Sequence, residues 1–292
     1  MKLSILCLIY CVSLIAGTLG SYNIRNFDYD QREHVSTNMS LLQKTILNMD
    51  ADFISVQEIR EKDKFNHFIN NRFDKYQVIL SECGGSHDQH LGFIYNKRKF
   101  KLLKFWEDMR VVNTYQSRNT SCRYGSRPLA IGKFLDHRTN KTFIAISVHL
   151  KSGGSPNSID KRFRQLSALK DVVRELKRDG YKSFIIMGDF NSTEYNQKQY
   201  HYRKFKEIVR DMDLVDLSSD IGCSSYWWGG IQDGMNHPSL LDHILVSDDF
   251  YQAKSKVLSH CEKLRCDKTA EYSMGNTYEE VSDHCPQVAP IK

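Results

Sequence analysis

The apolar run Phe184-Ile185-Ile186-Met187 leads without a break into Gly188-Asp189-Phe190-Asn191, and this junction is the strongest constraint in the chain. The run reads as a buried strand. The period of two in an extended chain puts Asp189 and Asn191 on one side and turns Phe190 away. A carboxylate and an amide offered together suit a phosphate ester, because the carboxylate holds a hard cation or a water while the amide donates to a phosphoryl oxygen without adding charge. Gly188 is read as clearing space for a substrate backbone. Taken by itself, the tetrapeptide also reads as an ordinary turn.

Other strand ends carry related chemistry. Ala51–Glu58 is an apolar run closing on a carboxylate, and Phe143–His149 is one closing on an imidazole. Leu241–Val246 begins with an acid, and Ser282-Asp283-His284-Cys285-Pro286 adds an Asp-His pair. A lone Glu or His beside a strand is usually a solvated edge residue, but the group together is harder to read that way.

In chain order, Tyr22-Asn23-Ile24-Arg25, Val56-Gln57-Glu58, Val148-His149-Leu150, Gly188-Asp189-Phe190-Asn191, Leu241-Asp242-His243 and Ser282-Asp283-His284 resemble the motif series of the endonuclease/exonuclease/phosphatase superfamily typified by pancreatic deoxyribonuclease I. The resemblance runs from Ser21 to about Val288. It implies a four-layer α/β sandwich of two packed mixed, mostly antiparallel sheets flanked by helices, with the site where strand ends and loops meet at one edge.

Hydrolysing a phosphodiester needs an activated water, charge stabilisation on the phosphoryl oxygens and help for the leaving oxygen. Carboxylates suit Mg²⁺, with Mn²⁺ or Ca²⁺ as alternatives, so Glu58 is the first choice of metal ligand and Asp283 the second. His284, oriented by Asp242, is the expected general base, the acid fixing its tautomer. His149 is expected to hydrogen-bond the scissile phosphate or protonate the leaving oxygen. Asn23, Asp189 and Asn191 are expected to position phosphate, metal and water. These roles match those the resemblance assigns to the same motif positions, and the two His roles are interchangeable. Glu58-Ile59-Arg60 resembles the Glu-Val-Arg of deoxyribonuclease I, which would send Arg60 into a DNA minor groove. Gly125-Ser126-Arg127-Pro128 resembles its Ser-Arg-Glu-Pro, making Arg127 a phosphate contact. A surface ion pair is the alternative for both. Where that enzyme has a Glu supporting its first catalytic His, Gln89 stands here, which would leave His149 less readily protonated.

The 292 residues, 40% of them hydrophobic, are enough for a sizeable core. Lys2 followed by the apolar Leu3–Ala16 has the shape of a secretory signal too short to cross a bilayer, so residues 1–20 are assigned to a leader and 21–292 to one catalytic domain. A cut after Gly20 leaves Asn23 very near the new N-terminus, which also admits an earlier cut or a leader that partly serves as the first strand. Formal charge is +6, and removing Met1–Gly20, which carries one Lys and no acid, leaves +5, compatible with a polyanionic partner. Six cysteines remain: Cys83, Cys122, Cys223, Cys261, Cys266 and Cys285. An even number in a secreted chain suggests disulfides, with Cys261–Cys266 the expected local pair and Cys285 alternatively a buried thiol. Asn38, Asn119 and Asn140 begin glycosylation sequons; Asn191 does too, but a glycan there would block the site.

Nothing resembles a linker or repeat, so one domain is expected, as a monomer. Apolar spacing predicts helices over Thr37–Asn48, Lys62–Phe73 and Arg162–Leu176. His90–Tyr95 with Lys101–Phe105, and Leu129–Leu135 with Phe143–His149, read as hairpins. In Tyr226-Trp227-Trp228-Gly229-Gly230 one Trp is expected in the core, and the other would insert into a membrane interface or stack on bases. Lys151-Ser152-Gly153-Gly154 reads as a flexible basic edge near a phosphate backbone. The expected function is a secreted, divalent-metal-dependent phosphodiesterase that nicks DNA. A sphingomyelinase-type enzyme using Trp227 and Trp228 on membranes and a non-catalytic binding protein on the same scaffold are the alternatives.

Overall fold

The apolar runs that close on chemical side chains are strands of two six-stranded sheets. The computed structural model describes residues 17–112, 122, 125–192 and 195–292. Across the first sheet the strands are Lys256–Val257, Gln287–Ile291, Gly17–Phe27, Phe53–Ile59, His90–Asn96 and Tyr76–Leu80. Across the second they are Val215–Asp216, Asp242–Val246, Phe184–Asp189, Lys141–His149, Leu129–Asp136 and Phe100–Asp108. Each sheet has one parallel pairing, Gly17–Phe27 with Phe53–Ile59 and Phe184–Asp189 with Lys141–His149. The remaining pairs within the two sheets are antiparallel.

The sheets meet through Leu19, Phe53, Phe93, Phe134, Phe143, Ile185 and Met187. Phe53 is fully buried at their centre, with the rings of Phe93, Tyr95, Phe100, Phe134 and Phe143 between 4.8 and 6.5 Å away. Met39–Met49 and Lys62–Arg72 cover the outer face of the first sheet through Leu42, Ile46, Phe65 and Ile69. Pro156–Arg178 and Tyr200–Asp211 cover the second through Leu166, Leu169, Val173, Phe205 and Val209. This is the four-layer sandwich that the motif series implies.

Local chemistry sets the helix ends. Asn38 caps Met39–Met49, its Oδ1 accepting the Leu41 N–H at 3.0 Å while Nδ2 donates to Glu280 at 2.7 Å. Both amide atoms of this sequon are therefore engaged. Asn140 lies in the exposed turn between Leu129–Asp136 and Lys141–His149, and Asn119 falls outside the described residues. Pro156–Arg178 begins ahead of the apolar periodicity seen in the sequence because Ser155 caps it and Pro156 occupies its first turn. Tyr200–Asp211 was not anticipated; only Phe205, Ile208 and Val209 of this strongly basic segment are buried.

Four expectations are corrected. His90–Asn96 and Phe100–Asp108 are not a hairpin: the chain crosses between them from one sheet to the other. Residues 17–20 belong to the first strand, where Gly17 to Gly20 pair with Val288 to Ile291 and Leu19 is fully buried. A cut after Gly20 would strip these residues from the sheet. Cys266 pairs with Cys223 and Cys261 with Cys285, so there is no Cys261–Cys266 bond and Cys285 is not a thiol; Cys83 pairs with Cys122. Gly188 makes room for the chain itself, since a Cβ there would collide with the Val148 carbonyl oxygen, and its φ of +138° suits only glycine.

Phe53→Ala should remove about 3–5 kcal/mol of stability by opening a cavity between the sheets. Chemical denaturation would check this, and a loss below about 1 kcal/mol would show that the sheets are held elsewhere.

Candidate active site

Strand register assembles the site. Asp189 lies beside His149 in the parallel pairing on one side and beside Asp242 in the antiparallel pairing on the other. On the facing sheet Asn23 pairs with Gln57, and Glu58 follows. The register of both strands shifts just beyond this pair, and Asn26 and Glu58 take left-handed backbone, with φ of 50° and 63°. A bulge of this kind re-aims a side chain, and here Glu58 turns towards the second sheet. His284 arrives from outside both sheets, tied by a bridge between its own backbone and Ser225.

Asp189 Oδ2 is the centre of the cluster. Asn23 Nδ2 lies 3.1 Å from it, His149 Nε2 3.3 Å and His284 Nε2 3.7 Å. Asn23 Nδ2 also donates to Glu58 Oε1 at 3.1 Å, and His149 Nε2 is 3.6 Å from that oxygen. The Asn26 N–H fixes Glu58 Oε2 at 3.1 Å. His284 Nδ1 donates to Asp242 Oδ2 at 2.7 Å, the orientation expected of a base and its supporting acid. Asn191 has a φ of 49°, its N–H donates to Asp189 Oδ1 at 2.8 Å, and its amide donates to the Leu150 carbonyl at 3.2 Å. Phe190 turns away to pack against Phe205 and His243, as the alternation requires. The cluster lies at the floor of an open cleft of about 1060 Å³ that also takes in Arg60, Arg127 and Asp283.

Burial sets the electrostatics. It raises the Glu58 carboxyl, with Asp283 adding to the effect, and pushes Asp189 up to about 7. It lowers His149 well below the ordinary imidazole range, helped by Arg127 and His284, so this ring is neutral at neutral pH. For His284 burial also acts downward, but the Asp242 and Asp189 carboxylates outweigh it and hold the ring well above its usual value.

A profile of the Endonuclease/Exonuclease/phosphatase family matches residues 20–284. The chain belongs to this family. No curated protein matches the sequence. Solved structures that share the fold include mannosyl-6-phosphatase Bt3783 of Bacteroides thetaiotaomicron, at 18% identity and TM-score 0.63 over 94% of this chain and 99% of that one. The human Nocturnin catalytic domain with bound sulfate matches at 16% and 0.63, over 95% and 94%. D. rerio TDP2 complexed with single strand DNA product matches at 13% and 0.60, over 94% and 98%. Members of the Endonuclease/Exonuclease/phosphatase family are hydrolases of phosphoester bonds and typically use divalent metal ions.

The donor set fits such an ion. Ligand atoms of Glu58, His149 and Asp189 lie within 4.8 Å of one another, and the buried Asn23 Oδ1 has no hydrogen-bond partner. Burial raises both carboxyls, and a cation bound between them would offset that cost. Glu58 and Asp189 would hold the ion; Asp283, the second choice from sequence, lines the same cleft and acts on Glu58 through its charge.

Arg127 donates to Gln89 at 3.1 Å and to the Leu150 carbonyl at 3.2 Å, while Arg60 lines the cleft with its Nε buried and unpartnered. Gln89 does not support His149: its amide spans Asn26 and Arg127, and His149 Nδ1 has no partner. Two positioning residues escaped the sequence reading. Ser282 donates to the Asn23 carbonyl at 2.7 Å and accepts the His284 N–H at 3.0 Å; its place in Ser282-Asp283-His284 was the available signal. Ser224 donates to Asp242 Oδ2 at 2.7 Å and accepts the Asp242 N–H at 2.9 Å, a contact with no motif to announce it.

Asp242→Asn should leave the fold intact and lower kcat for a small phosphodiester by about 10³- to 10⁴-fold, by presenting the wrong partner to His284 Nδ1. Steady-state kinetics on bis(p-nitrophenyl) phosphate test this, and a loss below about tenfold would remove Asp242 from that role.

Proposed function

We propose that this protein is a secreted, divalent-metal-dependent phosphodiesterase that hydrolyses DNA. The observation that carries the reading is the chemistry of the cleft floor, where buried acids and an imidazole paired with Asp242 lie together and Arg60 and Arg127 enter the same cleft. Acids with an oriented base suit attack on phosphorus, and the two arginines suit phosphate oxygens.

In this mechanism water attacks phosphorus from the His284 side. His284, once neutral, is a strong base; its Nε2 takes the water proton while Nδ1–H stays on Asp242, which stabilises the imidazolium that forms. The absence of a partner on His149 Nδ1 leaves its proton on Nε2, which faces Asp189 and donates to a phosphoryl oxygen. Neutrality suits His149 to that hydrogen bond more than to delivering a proton. Asn23 and Asn191 hold Asp189 and the phosphate in register, and Arg127 takes a non-bridging oxygen. A bound divalent cation supplies Lewis-acid charge for the phosphoryl oxygens and the leaving oxygen. The P–O bond to the leaving sugar oxygen breaks as the bond to water oxygen forms.

Leu3–Ala16 as a secretory leader and three disulfides support an extracellular setting. A sphingomyelinase-type activity is the second reading, favoured by Trp228 and Ile231, which are 51% and 56% exposed.

The purified protein should nick supercoiled plasmid with Mg²⁺ or Mn²⁺, lose this with a chelator, and be silent as His284→Ala. Sphingomyelin cleavage without nicking would keep the site and overturn the substrate. Silence on both would favour the non-catalytic reading.

A further inference from the structure

Two groups of residues in the cleft are chemically unlike. Arg32, Arg60, His87 and Arg127 line it among the acids Asp30, Glu33 and Asp88, and Lys151 stands close enough to Arg127 and Arg32 to feel their charge. The charges that act on His87, Lys151 and Lys161 are cationic throughout. The second group, Tyr226, Trp227 and Trp228, is aromatic and joins the cleft next to His284. Ser225 bridges to His284 and the Tyr226 N–H donates to the Asp283 carbonyl at 3.0 Å, so the Ser225–Trp227 strand is anchored to the catalytic loop. Trp228 follows three residues after Ser225, about 10 Å along an extended chain.

Trp228 is a fixed platform. Trp227 donates from Nε1 to Ser239 at 2.7 Å and braces the Trp228 ring edge-on, with centroids 6.1 Å apart. The chain then doubles back at Gly229, where φ is +68° and a Cβ would press on the His237 ring. A tryptophan half exposed yet braced by a second ring is an uncommon use of so large an apolar group. Sharing a cleft with Arg60 and Arg127, it matches a ligand that offers both a π-face and phosphates. That pairing favours a nucleic acid strand over a bilayer, whose apolar region would leave the arginines unmatched.

Base pairing decides which form of nucleic acid fits. Inside a duplex each base has both faces covered by its neighbours, so a protein ring can stack only on an unpaired, flipped or terminal base. We propose that the productive substrate is single-stranded or locally unpaired nucleic acid, with Trp228 stacked on a base near the scissile phosphate and Arg60 and Arg127 taking the backbone. This rests on the nucleic-acid reading above and refines it: Arg60 meets phosphate rather than a minor groove.

The test is kcat/KM of the full chain on a labelled oligonucleotide, single-stranded and annealed to its complement, for wild type, Trp228→Ala and Trp228→Phe. Wild type should prefer the single strand by tenfold or more. Trp228→Ala should lower the single-strand to duplex ratio by roughly ten- to a hundredfold, the size of one lost base–aromatic stack, and Trp228→Phe should retain most of it. Equal cleavage of the two forms by wild type, or an unchanged ratio in Trp228→Ala, would overturn the inference while leaving the nuclease reading in place. Hydrolysis of bis(p-nitrophenyl) phosphate with neither oligonucleotide cut would overturn both. Flotation with sphingomyelin–phosphatidylcholine vesicles that depends on Trp228, with the ratio unchanged, would overturn it and assign the ring to a membrane.

Discussion

The register of backbone hydrogen bonds at the ends of the central strands is the constraint on which the rest depends. His149, Asp189 and Asp242 lie side by side only because the Phe184–Asp189 strand pairs as it does with both neighbours. Side chains alternate, so a slip of one residue would send Asp189 towards the helices and Phe190 into the site. Burial on both faces forbids that slip. Ile185 and Met187 pack between the sheets, while Phe184, Ile186 and Phe190 pack against Pro156–Arg178 and Tyr200–Asp211. The chemistry is thus positioned by apolar residues that never touch a substrate.

The same alternation explains why the site lies where it does. Between the sheets, successive inward positions grade from apolar to reactive: Leu19, Ser21, Asn23; Phe53, Ser55, Gln57; Ala145, Ser147, His149; Ile185, Met187, Asp189. Behind the cluster Ser55 donates to Ser147 at 2.8 Å and Gln57 donates to Ser55 at 2.8 Å, while Ser21 Oγ and Gln57 Oε1 are buried without partners. This partly satisfied tier lets an aromatic core pass into a charged cluster. The acids beyond it remain costly. Burial raises the Glu58 and Asp189 carboxyls, so the cluster costs stability as it stands.

Legibility in the sequence followed how local the cause was. Period-two alternation at Asp189 and Asn191, the apolar runs ending on Glu58 and His149, and the helices near Thr37 and Lys62 are all written within a dozen residues. The motif series carried Asn23, Asp242 and His284 as well. What stayed hidden depends on contacts across long separations. Ser224 supports Asp242 only because the Ser225–Trp227 strand pairs with Met235–Ser239, and nothing in Cys223-Ser224-Ser225 signals it. The crossing between His90–Asn96 and Phe100–Asp108 looks like a hairpin because a short polar turn serves either purpose. The role of Gly188 was misread for the same reason: the atom it avoids, the Val148 carbonyl, is forty residues away in the chain.

His284, the proposed base, is held differently from the acids. Ser282, Asp283 and His284 lie outside both six-stranded sheets, between the short helix Asn276–Glu280 and the strand Gln287–Ile291, where only backbone pairing with Ser224–Tyr226 holds them. Two disulfides add to that constraint. Cys261–Cys285 anchors the residue next to His284, and Cys223–Cys266 anchors the residue next to Ser224, the partner of Asp242. Closing loops of this size restricts the unfolded chain by about 3.5–4 kcal/mol each in the chain-entropy account. Imidazole and supporting acid are thus drawn together by covalent ties on one side and by the second sheet on the other. Disulfides of this kind form and persist in oxidising surroundings, where both ties would hold.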